Sequence, residues 1–116
     1  MRKLIYFIFS LFACTLMFGA DFKPDQVKDA ELFASEAKAQ FNLSDEQAEQ
    51  LLEARYEFFR SYGKAYKMTQ SGKTEEAQAF KKTIPHALAE KFCEITGCKK
   101  NEYWKFQKAH KAKLGK

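Results

Sequence analysis

The chain is 116 residues long, 30% charged, 46% hydrophobic and 16% aromatic, with a formal net charge of +5. That length holds one small domain and excludes a repeat array or a multi-domain enzyme. Twelve phenylalanines and five tyrosines are too many rings for a disordered tail, and five glycines and two prolines too few for a collagen-like chain.

Residues 1–20 read as an export signal. Met1-Arg2-Lys3 is a short basic start, Leu4 to Phe18 is nearly all apolar, and Gly19-Ala20 are small. Basic, apolar and small, in that order, is the pattern of a secretory signal peptide. The apolar run is shorter than the ~20 residues of a spanning helix, so an uncleaved inner-membrane anchor ranks below cleavage. Lipid attachment at Cys14, on the lipobox-like Leu11-Phe12-Ala13-Cys14, ranks below it too. The expected location is periplasmic or secreted. Without Arg2 and Lys3 the remaining domain, residues 21–116, carries +3.

That domain reads as helices in succession. Over residues 25–41, Val27, Ala30, Ala34, Ala37 and Phe41 recur at three-to-four-residue steps with Phe33 beside them, which is a helical stripe. The intervening Lys, Glu and Asp are expected to be its wet face, and Pro24 suits its first turn. Ser44 with Gln47 three residues on is a capping box, in which each side chain satisfies a backbone donor left over at a helix start. A helix over about 45–69 follows, with Leu51, Leu52, Arg55, Phe58, Phe59, Tyr62, Ala65 and Tyr66 on one broad face, until Gln70-Ser71-Gly72 ends it.

Thr74 opens a third segment, with Ala77, Phe80 and Ile84 inward. Pro85 either kinks it or starts a new helix. Ala87, Leu88, Phe92 and Ile95 carry the stripe on to Gly97, a left-handed cap. A last helix, with its cap Asn101, spans about 101–114. No stretch alternates with period two. The predicted fold is all-α, a small antiparallel bundle of four to five helices after the signal peptide.

Chemistry is sparse. Cys93 and Cys98, an even pair in an exported domain, are expected to form a structural disulfide if Gly97 turns the chain back. His86 and His110 are not spaced with them like zinc ligands, so no metal and no cofactor is expected. No nucleophile elbow or catalytic signature is present. Glu53 and Glu57, four apart on the second helix, are expected to pair with Arg60 or Lys64 in water. An enzyme is not expected.

Binding is better supported. Residues 99–116 carry seven lysines against Glu102, a net +6, whereas residues 21–98 sum to −3. Lys105, Lys108, Lys111 and Lys113 are therefore candidate contacts to an anionic membrane or polysaccharide surface. The simpler reading is a solvated face, or an internal match to the acidic second helix. Nucleic acid is not an expected partner of an exported chain. Tyr56, Phe58, Phe59, Tyr62 and Tyr66 cover more than half a helix circumference, so Tyr56 or Tyr66 is expected on an exposed apolar patch. Tyr103 and Trp104 join them as candidate partner-binding residues.

Leu43-Ser44-Asp45-Glu46-Gln47 resembles, with Ser in place of Thr, the Leu-Thr-x-x-Gln motif of the CpxP/Spy group of small periplasmic helical proteins. Those are stress-response modulators and ATP-independent chaperones that bind unfolded clients on a cradle-shaped dimer. The resemblance implies a homodimer, and a mainly structural role for Leu43, Ser44 and Gln47. The leading expectation is a small exported non-enzymatic helical protein of a bacterial envelope that binds a protein or envelope component. A chaperone of the kind just named is the first alternative, and an anionic-surface binder acting through the Lys-rich last helix is the second.

Overall fold

The structure, a computed structural model, describes residues 22–115. The expected signal peptide, Cys14 included, lies outside those residues. Four helices account for nearly all of them: α1 (Pro24–Phe41), α2 (Asp45–Gln70), α3 (Thr74–Thr96) and α4 (Lys100–Lys113). No strand occurs among the described residues, and no described helix is long and apolar enough to cross a membrane.

The helix ends follow from local chemistry. Pro24 stands at the first position of α1, and Asn42 closes that helix in the left-handed region at φ 53°, which asparagine tolerates better than most side chains. The Ser44 box is present in both directions. The Gln47 N–H donates to Ser44 Oγ at 3.1 Å, and the Ser44 N–H to Gln47 Oε1 at 2.9 Å. Gly72 at φ 86° and Gly97 at φ 78° then make the two turns that a side chain would strain.

Two boundaries needed the structure. α3 passes through Pro85 as a single helix instead of stopping there. α4 starts earlier than expected, with Lys99 at the cap and Asn101 inside the helix. Glu102 is the reason: its Oε1 accepts from the Lys99 N–H at 3.0 Å, the carboxylate half of a capping box.

The core is aromatic. Phe33 of α1, Phe92 of α3 and Phe106 of α4 meet at centroid separations of 5.2–5.7 Å, and Phe41 closes on Phe92 at 5.5 Å. Leu51, Leu52 and Tyr56 bring α2 onto the same cluster, with Leu88 and Ala89 from α3. Fully burying each such large side chain contributes about 1.5–3 kcal/mol, so this one knot of rings ties all four helices together.

Candidate binding site: an aromatic and basic cleft over a buried charge network

The core also holds charge. Asp29, Arg55 and His110 are each no more than 3% exposed. Arg55 donates through Nε to Asp29 Oδ1 at 3.1 Å and through Nη2 to Asp29 Oδ2 at 3.2 Å, a two-pronged pair. Each ring nitrogen of His110 faces a carboxylate oxygen: Nε2 lies 2.7 Å from Asp29 Oδ1, and Nδ1 lies 3.2 Å from Glu36 Oε1. Lys113 reaches the other oxygen of Glu36. The network thus joins α1, α2 and α4.

Electrostatics around these groups are set by competition between burial and contact. Burial pushes the Asp29 carboxyl up, but the hydrogen bonds from His110 and Arg55 outweigh it and hold Asp29 below its ordinary 3.8. Glu36 is likewise held below 4.5 against its desolvation, by Lys113 and His110. The guanidinium carbon of Arg55 lies 4.6 Å from the Phe33 centroid, 4.5 Å from Phe58 and 5.2 Å from Phe59. Ring faces attract a cation at such distances. Its Nη1, also buried, meets no acceptor among the described residues.

Above this network opens a cleft of about 480 Å³, bordered by Asp29, Arg55, the second half of α2, Pro85 and α4. Arg55 forms its floor and Phe58, Phe59 and Tyr62 one wall; Tyr103 and Trp104 stand opposite, with Lys108 and Lys111 at the edge. Among the described residues, Tyr62, at 36% exposure, and Trp104, at 39%, are two of the three exposed large hydrophobic residues, the third being Tyr66 at 62%. Lys105, Lys108 and Lys111 have no ion-pair partner among the described residues. Elsewhere in this segment Lys113 reaches Glu36 and Lys100 reaches Glu90. The lysine ion pairs of the basic helix therefore go to α1 and α3, and none to the acidic α2 considered as its match.

The candidate aromatics divide. Of the pair Tyr56 and Tyr66 it is Tyr66 that is exposed, and Trp104 is exposed too, whereas Tyr56 and Tyr103 are buried, at 0% and 1%. Tyr56 packs on Phe22 at 4.8 Å and Tyr103 on Phe92 at 4.8 Å, so both belong to the buried core and not to an open patch. Burial raises the phenol of Tyr103 to about 12. Leu43 is buried, and Gln47, beyond its capping role, donates through Nε2 to the Ile95 carbonyl at 2.9 Å. Glu57 pairs with Arg60 at 2.8 Å. His86 is exposed, edge-on to Trp104 at 5.9 Å.

Cys93 and Cys98 are free thiols with their sulfurs 3.7 Å apart. The turn at Gly97 has brought them together as the sequence suggested, without the bond. Burial, then the Cys98 thiol, pushes Cys93 up to about 11. No group of three or more metal-ligating side chains occurs among the described residues.

Sequence reasoning placed Asp29 on the wet face and assigned no role to His110, so the network was missed. The signal was present. Tyr103, Phe106 and His110 are spaced i, i+3, i+7, and Asp29, Phe33 and Ala37 are spaced i, i+4, i+8, so both polar residues fall on inward stripes. No family model, curated protein or solved structure matches this chain.

Proposed function

We propose that the protein is an exported, non-enzymatic helical binder of a protein or envelope component, and that the cleft between α2 and α4 is its binding face. The observation that carries this reading is the placement of Tyr62 and Trp104, exposed large aromatics, on one cleft edged by the unpaired Lys108 and Lys111. Solvent-facing rings beside uncommitted cations are what recognition surfaces collect and what a stable monomer has no reason to keep. Against catalysis stands the seat of His110, whose two ring nitrogens are both taken up by carboxylates inside the core. Export rests on the first twenty residues. The three-residue connections between helices favour an antiparallel order of neighbours, and the approach of Cys93 to Cys98 favours a disulfide once the chain is in an oxidising compartment.

The test is capture from an envelope extract with the wild-type chain and with a Tyr62→Ser/Trp104→Ser variant. Both positions are partly exposed, so the variant is expected to melt close to wild type while losing the captured component. Equal capture by the two chains refutes the assignment of the face. A second reading has one observation in its favour. An open groove of about 820 Å³ between α2 and α3, lined by Phe58, Phe80 and Ile95 along with Glu53 and Lys91, offers the mixed surface on which a CpxP/Spy-like chaperone would hold an unfolded client. Suppression of a denatured client's aggregation at or below equimolar ratio supports that reading, and undiminished aggregation removes it.

A further inference from the structure

We propose that the α2–α4 cleft takes a single-chain anionic amphiphile, with its acid group between Arg55 and the two rim lysines and its chain along the aromatic walls. The inference rests on the reading of this cleft as the binding face and names what it binds. Three observations converge on it. The cleft, at about 480 Å³, lies in the size range of small-molecule sites, roughly 300–1,000 Å³. Its cations, Arg55, Lys108 and Lys111, outnumber its one anion, Asp29, whose two oxygens are already engaged by Arg55 and His110. Finally, Arg55 has a side chain only 4% exposed, and it keeps one terminal nitrogen, Nη1, with no acceptor among the described residues.

A buried guanidinium N–H without an acceptor is costly, and an anionic head group supplies one. Phe58, Phe59 and Trp104 then give the chain an apolar path, which an inorganic anion would not use. Selectivity for negative charge separates this proposal from a merely greasy patch.

Trp104 is the chain's single tryptophan, so its emission reports on this cleft and on no other surface. The probes are decanoate below its micelle concentration, decanol as the same chain without charge, and acetate as the head without a chain. Decanoate is expected to shift Trp104 emission saturably with one equivalent, to bind at least about tenfold tighter than decanol, and to weaken with salt as exposed charge is screened; acetate is expected to leave the emission unchanged. Lys108→Gln/Lys111→Gln, both exposed and outside the core, should weaken decanoate about threefold to tenfold and leave decanol unchanged.

Equal affinity for decanoate and decanol overturns the proposal, because charge then plays no part. Heat of decanoate binding without a Trp104 response overturns it by placing the ligand elsewhere. Co-sedimentation with phosphatidylglycerol vesicles, when monomeric decanoate leaves Trp104 silent, overturns it in favour of a membrane surface. If decanoate fails while capture from extract still depends on Tyr62 and Trp104, the binding face stands and only the ligand class falls.

Discussion

Asn in place of Asp29 keeps the shape of the side chain and removes the charge that Arg55 and His110 surround. The side chains of Asp29 and Arg55 are both 4% exposed, so water does not replace the lost carboxylate. Breaking a buried pair by deleting one partner costs about 3–5 kcal/mol. A domain of this size has roughly 0.05–0.15 kcal/mol of stability per residue, so the loss is about a fifth of the whole or more. At roughly 4–8 °C per kcal/mol for a small domain, melting should fall by about 12–40 °C. The assay is urea unfolding followed by far-ultraviolet circular dichroism, with the slope m unchanged and the midpoint lowered. A loss under about 1 kcal/mol, the range of an exposed pair, would refute the claim that charge is held in this core. The double variant Asp29→Leu/Arg55→Met sharpens the point. Replacing both partners by apolar side chains is often neutral or stabilising, so it should recover part of what Asp29→Asn loses, less the cost of leaving His110 Nε2, 2.7 Å from Asp29 Oδ1, without its acceptor. If it is no more stable than Asp29→Asn even with His110→Leu added, lost packing and not a stranded charge is the cause.

Four further outcomes follow from the same structure. Asp29 and Glu36 titrate below their ordinary 3.8 and 4.5 when folded. The unfolded chain therefore takes up protons first on acidification, and their contribution, present above pH 4.5, drains away as pH falls through the folded values. Asp29→Asn should lose part of that acid limb in pH-dependent melts, and an unaltered limb refutes the assignment. Cys93, pushed by burial and Cys98 from 9.0 to about 11, should react with iodoacetamide at pH 8 about a hundredfold more slowly than an ordinary thiol; site-resolved mass spectrometry showing an ordinary rate contradicts this. Oxidising the pair closes a short loop and should add about 2 kcal/mol, read as a higher melting temperature. The glycines should respond with opposite signs. Gly63, inside α2 with open space around a new Cβ, should gain about 0.5–1 kcal/mol on substitution by Ala. Gly97, at φ 78°, should lose about 1–2 kcal/mol, and equal responses refute the reading of that cap.

Much of the fold was legible because local rules and burial agreed. The stripe Ala30, Phe33, Ala34 and Ala37 is the buried face of α1, and the Ser44–Gln47 box starts α2 where periodicity required a start. Gly97 ended α3 for a stated conformational reason. Less was legible where position along a helix and chemical type disagreed. Asp29 looked like solvent and proved to be core, since only a partner on another helix makes its burial tolerable, and no local pattern announces a partner 26 residues away. Tyr56 looked like surplus on an overfull face. Phe22, however, lies across it, a neighbour from the segment ahead of α1 that helix periodicity does not count. The cleft was half visible: Trp104 and the lysines were marked, while Phe58, Phe59 and Arg55 were assigned to one inward face with no hint that α4 leaves part of it open.

Gln47 has a consequence for which side chains its position accepts. Glutamate is its common alternative in this kind of helix start, and it would serve Ser44 equally well. Yet an ionised carboxylate has no proton to lend, and the oxygen of Ile95 waits at 2.9 Å for one. A single amide thus fastens the beginning of one rod to the far end of another, a few residues short of the thiol turn. The neutral member of an otherwise interchangeable couple is required here, by an acceptor 48 positions downstream.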